Sequence, residues 1–119
     1  MREVLFRGKT KQDDWVYGQY CELTDGKRII SCIYYKGEII KKTLGQYTGL
    51  TDRNEKKIFE GDIVEYKDEY GKIVYHDNEA MFVIEFDTWC TDFDHITGNE
   101  IEVIGNIHDN PELLKGGAE

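Results

Sequence analysis

Apolar and β-branched residues come along this chain in short runs of five to eight positions, each closed by turn residues, a cadence that predicts strands almost everywhere. Glu3-Val-Leu-Phe-Arg7 is the first run. Trp15-Val-Tyr-Gly-Gln-Tyr20 sets aromatics at 15, 17 and, past Gly18, 20, with the polar turn Gly8–Asp14 between the two runs. Arg28-Ile-Ile-Ser-Cys-Ile-Tyr-Tyr35 is bounded by the turn dipeptides Asp25-Gly26 and Lys36-Gly37. Farther on, Asp62–Lys67, Gly71–His76 and Ala80–Phe86 succeed one another with turns at Asp68–Gly71 and Asp77–Glu79, the rhythm of an antiparallel meander. A last strand over about Glu100–Ile107 supplies Ile101, Val103 and, past a shift at Ile104-Gly105, Ile107 to the core. The one helix expected is short. In Asn110-Pro-Glu-Leu-Leu114 the Asn caps, the Pro suits the first helical position and the Glu complements the dipole, before Gly116-Gly117 ends it.

Composition places this strand pattern in one small globular domain spanning 1–119, since 119 residues with 39% hydrophobic and 13% aromatic content suffice for a single core. Folding then needs no metal, cofactor or disulfide. Cys21, Cys32 and Cys90 are odd in number and lack CxxC spacing, so they read as free thiols. No apolar run approaches the roughly 18 residues of a membrane span, and Met1-Arg2-Glu3 does not lead into a signal-peptide core. The expected location is the cytoplasm, with no membrane association.

The net charge of −9 is unevenly distributed. The approximate half 1–57 carries 12 Lys and Arg against 8 Asp and Glu, whereas 58–119 carries 3 against 16. Each half solvating its own face accounts for this, and a basic partner or the basic half of a second copy would also suit the acidic half. Direct nucleic-acid binding is disfavoured, because phosphate neutralisation needs clustered cations.

The segment Gly45-Gln-Tyr-Thr-Gly-Leu-Thr-Asp-Arg-Asn-Glu-Lys-Lys-Ile-Phe-Glu-Gly-Asp-Ile-Val64 holds the densest set of conformational instructions. Gly45, Gly49 and Gly61 fall where turns or close backbone approach are needed, and Asp52–Glu55 is a polar turn whose Asn54 tolerates a left-handed conformation. Tyr47 and Leu50 are expected to anchor this connection, Ile58 and Phe59 to pair at a sheet edge, and Gly61-Asp62 to turn the chain into a strand at Ile63. Its role reads as structural, with a ligand-binding loop as the alternative. This segment resembles the GQYTGLxDxNxxxIxEGDIV signature of the YopX family of phage and prophage proteins. Glu102-Val-Ile-Gly-Asn-Ile-His-Asp-Asn-Pro-Glu-Leu-Leu114 is similar to that family's closing block, and Phe6-Arg7-Gly8 and Trp15-Val16-Tyr17-Gly18 also fit its pattern. The resemblance implies a phage context and no particular activity. Gly61-Asp62-Ile63-Val64 also looks like the entry to the first strand of many SH3-like barrels, a fold-level analogy.

Candidate chemistry centres on Asp87-Thr-Trp-Cys-Thr-Asp-Phe-Asp-His95. Asp87, Asp92, Asp94 and His95 would have to converge to hold a divalent cation, and Cys90 would need His95 and an orienting group to act as a nucleophile. A solvated acidic loop is the plainer reading, and His76 and His108 read as surface or hydrogen-bonded histidines. No Ser-centred elbow, P-loop or dinucleotide fingerprint occurs. Trp15, Tyr17, Tyr20, Tyr34, Tyr35, Tyr47, Tyr66, Tyr70, Tyr75 and Trp89 supply large amphipathic surfaces, and adjacent rings such as Tyr34-Tyr35 must face opposite sides of a strand. A Tyr/Trp patch left outside is a natural contact surface.

These readings predict an all-β, mainly antiparallel complex barrel or sandwich with an SH3-like C-terminal half and a short C-terminal helix. They predict a non-catalytic accessory or binding protein of phage or prophage origin, with no catalytic, cofactor-binding or metal residues and no cofactor. Its expected partner is another protein or a second copy of itself. Two alternatives are an acidic nucleic-acid mimic that inhibits a host DNA-binding protein, and a metal-dependent hydrolase using the 87–95 loop.

Overall fold

In the computed structural model, residues 4–32 and 36–116 are described, with side chains through Leu114. The Tyr34-Tyr35 pair, the start of the first predicted strand at Glu3 and the closing Gly117 lie outside them. The fold is all-β, built of antiparallel sheets with one short helix. The chain divides into two compact units, Met1–Gly49 and Leu50–Glu119. The polar turn of the signature lies in the second unit.

The first unit contains β1 (Phe6–Lys9), β2 (Trp15–Glu22), β3 (Arg28–Ser31), β4 (Lys36–Glu38) and β5 (Gly45–Thr51), in the spatial order β4-β3-β2-β1-β5. β5 carries the chain over the division. Among the described residues of this unit, Ile30, Ile39 and Tyr47 are the buried hydrophobic ones. Arg7 faces Tyr17, and Lys9 faces Trp15, across the β1–β2 ladder. The Arg7 guanidinium therefore lies 4.7 Å from the centre of the Trp15 ring, and the Lys9 ammonium 2.6 Å from Asp13. Both cations are buried, their stems covered and their charges matched to a ring and a carboxylate. Gly18 is required by close approach: a Cβ there would fall on the carbonyl oxygen of Ser31.

The second unit contains β6 (Lys57–Phe59), β7 (Asp62–Tyr66), β8 (Glu69–His76), β9 (Met81–Glu85), β10 (Cys90–Asp92), β11 (Glu102–Asn106) and α1 (Glu112–Gly116). β7 to β10 form a meander and β11 returns to the far side of β7, giving β10-β9-β8-β7-β11. A single 3-10 turn, Gly98–Glu100, precedes the last strand. Val64, Ile73, Ile84 and Val103 point to one face of the sheet, where Ile58, Phe86, Ile96 and Ile101 complete the core. The register shift lies between Val103 and Gly105, where the sequence places it.

Three strands were not legible as such. Lys36-Gly37 belongs to β4 rather than a turn, Gly45–Thr51 is the strand β5 rather than a loop, and β10 forms inside the acidic loop. The β7–β8 turn is tighter than expected, with Lys67 and Asp68 both at positive φ and strand pairing resumed at Glu69. A two-residue turn of this hand matches the twist of its strands, and the Asp68 N–H is held by the Glu65 carboxylate at 2.9 Å. Leu50 is exposed and does not anchor the signature, whereas Tyr47 is buried.

At Gly98 a side chain would collide with the Thr51 carbonyl, with Ile58 close behind. Gly98→Ala is expected to lower stability by about 2–3 kcal/mol, seen as a fall in Tm of roughly 8–15 °C. Thermal unfolding followed by circular dichroism checks this, and an unchanged midpoint would contradict the packing described.

Candidate functional site

The signature turn is organised by one carboxylate. Asp52 is 1% exposed. Its Oδ1 accepts the backbone N–H groups of Asn54 at 2.8 Å and Lys56 at 2.9 Å, and its Oδ2 accepts that of Val103 in β11 at 2.8 Å. A carboxylate, unlike a hydroxyl or an amide, offers acceptors on both oxygens, so it can close its own turn and hold a strand 51 residues away. Arg53 reinforces the junction, donating its N–H to the Ile101 carbonyl at 3.0 Å and its guanidinium to Glu102 at 2.7 Å and Glu65 at 3.1 Å. The Asn54 side chain reaches the other oxygen of Glu102 at 3.3 Å. The left-handed residue in this turn is Glu55, with φ 64°, not Asn54. Burial alone would raise the Asp52 pKa, but the three N–H donors and nearby Lys56 outweigh it and hold the carboxyl below its ordinary value of 3.8.

The end of the signature is fixed in the same manner. Gly61, at φ 93°, donates to the Ile73 carbonyl at 2.8 Å and accepts from the Ile107 N–H at 2.9 Å. Buried Asp62 accepts the Phe59 N–H at 2.7 Å.

Among the acidic-loop candidates, only Asp92 and His95 come together. The Asp92 Oδ1 accepts the His95 ring at 2.8 Å and the backbone N–H groups of Asp94 and His95 at 3.1 Å each. This bond holds Asp92 below and His95 above their ordinary pKa values. The pair closes a turn on an exposed surface. Among the described residues, no three His, Cys, Asp or Glu side chains are placed to hold a metal ion. Cys90 is exposed on β10, opposite Glu85. Cys21 and Cys32 are also exposed free thiols. His76 bridges Glu85 and Glu79, each at 3.2 Å, and the Glu85 contact foremost raises its pKa. The backbone N–H of His108 is held by Asn106 at 3.0 Å.

A different surface emerges where β8 and β9 meet α1. Tyr70, Lys72, Glu85, Phe86, Asp87 and Leu114 line a shallow depression of about 260 Å³. Trp89 stands beside it, its ring stacked on Phe86 at 4.5 Å between centroids and 13° between planes. Its indole N–H donates to Glu69 at 3.0 Å. Trp89 is nonetheless 39% exposed and Tyr70 41%. The stacked ring and the hydrogen bond fix the indole in one orientation while leaving one side to solvent. The sequence marks both aromatics, but the bond from Trp89 to Glu69, 20 residues away, follows only from the return of β9 along β8.

The family profile described as YopX protein matches residues 5–115 of this chain. The chain belongs to the YopX family. The matched span takes in the signature, β1, β2 and the closing block, so it covers every YopX element described above. The crystal structure of protein EF1440 from Enterococcus faecalis is similar to this YopX-family chain, with 27% sequence identity and a TM-score of 0.61. The likeness covers 96% of this chain and 99% of that one. No curated protein matches it. Among the described residues, no helix is long and apolar enough to cross a membrane.

Asp52→Asn is expected to cost about 2–4 kcal/mol, because an amide turns one donor toward backbone N–H groups that need acceptors. The folded pKa of Asp52 is depressed, so its contribution is fully present above the unfolded value near 3.8 and is lost as pH falls through the lower folded value. Urea unfolding between pH 7 and pH 2 should therefore show a steeper acid loss for the wild type than for Asp52→Asn. Parallel acid limbs would contradict the assignment.

Proposed function

We propose that this chain is a non-catalytic binding protein of phage or prophage origin that acts in the bacterial cytoplasm by docking another protein. The observation that supports the reading is the pre-oriented, half-exposed Trp89, stacked on Phe86 and bonded to Glu69 beside the depression lined by Tyr70 and Leu114. Aromatic anchors of this kind lose little conformational freedom on binding and dominate interface energetics. The signature's buried carboxylates, by contrast, are engaged with backbone N–H groups, which suits architecture better than chemistry. The strand order of the second unit, with a 3-10 turn before the closing strand, supports an SH3-like reading of that unit by analogy of topology. A homo-oligomer joined through the same surface is compatible with this function.

A second reading rests on charge. The second unit holds 6 Lys and Arg against 18 Asp and Glu, and the first holds 9 against 6. Such a surface suits an acidic mimic of nucleic acid that occupies the basic site of a host DNA-binding protein.

Affinity capture from host lysate with wild type and Trp89→Ala separates the two. A protein retained at about 0.5 M salt, where screening cuts off surface charge beyond ~4 Å, and lost with the indole is the expected result. Salt-labile capture of basic DNA-binding proteins that ignores Trp89 would overturn the aromatic reading in favour of mimicry.

A further inference from the structure

The surface beside Trp89 has a chemistry more specific than apolar adhesion. Glu85 and Asp87 line the depression together with Tyr70 and Phe86, and Glu69 stands at its edge in contact with the indole. Among the described side chains one cation, Lys72, lines the site, its ammonium 3.9 Å from Glu85. Even with His76 bonded to the other oxygen of Glu85 at 3.2 Å, the described carboxylates Glu69, Glu85 and Asp87 outnumber the cations beside them. Asp87 has no hydrogen-bond or ion-pair partner among the described residues, and the exposed Tyr70 ring has neither a ring partner nor a side-chain hydrogen bond among them. An aromatic surface and an unengaged carboxylate thus flank one shallow space.

Three classes of occupant can be compared on physical grounds. A purely apolar helix or strand would strip water from Asp87 and return no partner, a cost that its contact with the rings would have to overcome. A nucleic-acid backbone would meet carboxylates where it needs cations. A guanidinium satisfies both halves of the site, since its plane stacks on an aromatic face while its N–H groups donate to carboxylates in its own plane.

We propose that the depression between β8, β9 and α1 receives an arginine side chain from an extended segment of a partner protein, stacked on the Tyr70 and Trp89 rings and paired with Asp87. This inference rests on the protein-binding reading above and names the chemistry of its partner. Lys72 sets its limit: the site holds one cationic group beside a cation already paired with Glu85, so it favours a single arginine flanked by small residues over a dense basic run. The Trp89 indole remains bonded to Glu69 throughout, which holds the platform in place before the partner arrives.

The test uses the full chain labelled with ¹⁵N, in which the indole N–H signals of Trp15 and Trp89 are assigned and followed by NMR. Acetyl-Gly-Arg-Gly-amide is titrated against the same peptide with citrulline, which has the arginine shape without the charge. The arginine peptide is expected to shift the Trp89 signal and not that of Trp15, and the citrulline peptide neither. Tyr70→Ala, which keeps the charge, and Asp87→Asn, which keeps the rings, should each weaken binding by about three- to fivefold, the scale of one exposed cation–ring or charge-assisted contact. Equal shifts with citrulline would overturn the proposal. So would weakening by Asp87→Asn but not by Tyr70→Ala, which marks general attraction to an acidic surface. Self-association seen by sedimentation, with no peptide shift, would assign the surface to a second copy instead. If the peptide fails while the Trp89-dependent capture persists, the arginine assignment falls and the binding function stands.

Discussion

The backbone N–H groups of Asn54, Lys56 and Val103 all point at the Asp52 carboxylate, and the second unit depends on that convergence. Two donors lie within the turn that the carboxylate itself begins, and the third lies on β11. The Val103 donor is buried and must find an acceptor, and the two donors of the turn, part-buried, share the other oxygen. A charged acceptor makes stronger bonds than a neutral one, and those bonds offset the cost of removing the carboxylate from water. From this junction β11 is held against β7, which in turn sets the register of the meander β7 to β10.

The consequence for function is a division of labour between buried and exposed polar groups. The signature's Asp52, Gly61 and Asp62 serve the backbone, while Arg53 ties Glu65 and Glu102 together above them. With register fixed, β8 places Glu69 and Tyr70 near the place where β9 delivers Phe86 and Trp89. The exposed aromatic surface therefore arises from strand pairing and does not require a long loop to fold around a ligand. A ring held by stacking and by one hydrogen bond presents a ready contact at small entropic cost.

Much of this architecture could be read from residue order. The runs at 15–20, 62–67 and 80–86 became β2, β7 and β9, because short apolar, β-branched and aromatic runs closed by turn residues suit a pleated strand. The Asn110-Pro111-Glu112 entry became α1. β4 and β5 escaped notice because Gly37, Gly45 and Gly49 read locally as turn signals, while pairing to β3 and β1 overrides that preference. The signature's structural role was legible, yet its mechanism was not: nothing near Asp52 in sequence announces Val103. In the acidic loop, where a solvated surface is the plainer reading and convergence of Asp87, Asp92, Asp94 and His95 the alternative, β10 and the turn after it bring only Asp92 and His95 together. Trp89 was visible as an aromatic but not as a fixed one, because its hydrogen-bond partner lies two strands earlier.

Native-state amide hydrogen exchange at Val103 tests the central claim most directly. With Asp52 in place, the Val103 amide should exchange as slowly as those of Ile73 and Ile84 in the middle of the sheet. In Asp52→Asn it should exchange roughly a hundredfold faster, equivalent to ~2.8 kcal/mol, with Asn54 and Lys56 accelerated alongside it. Undiminished protection of Val103 in that variant would show that β11 is held by something other than this carboxylate.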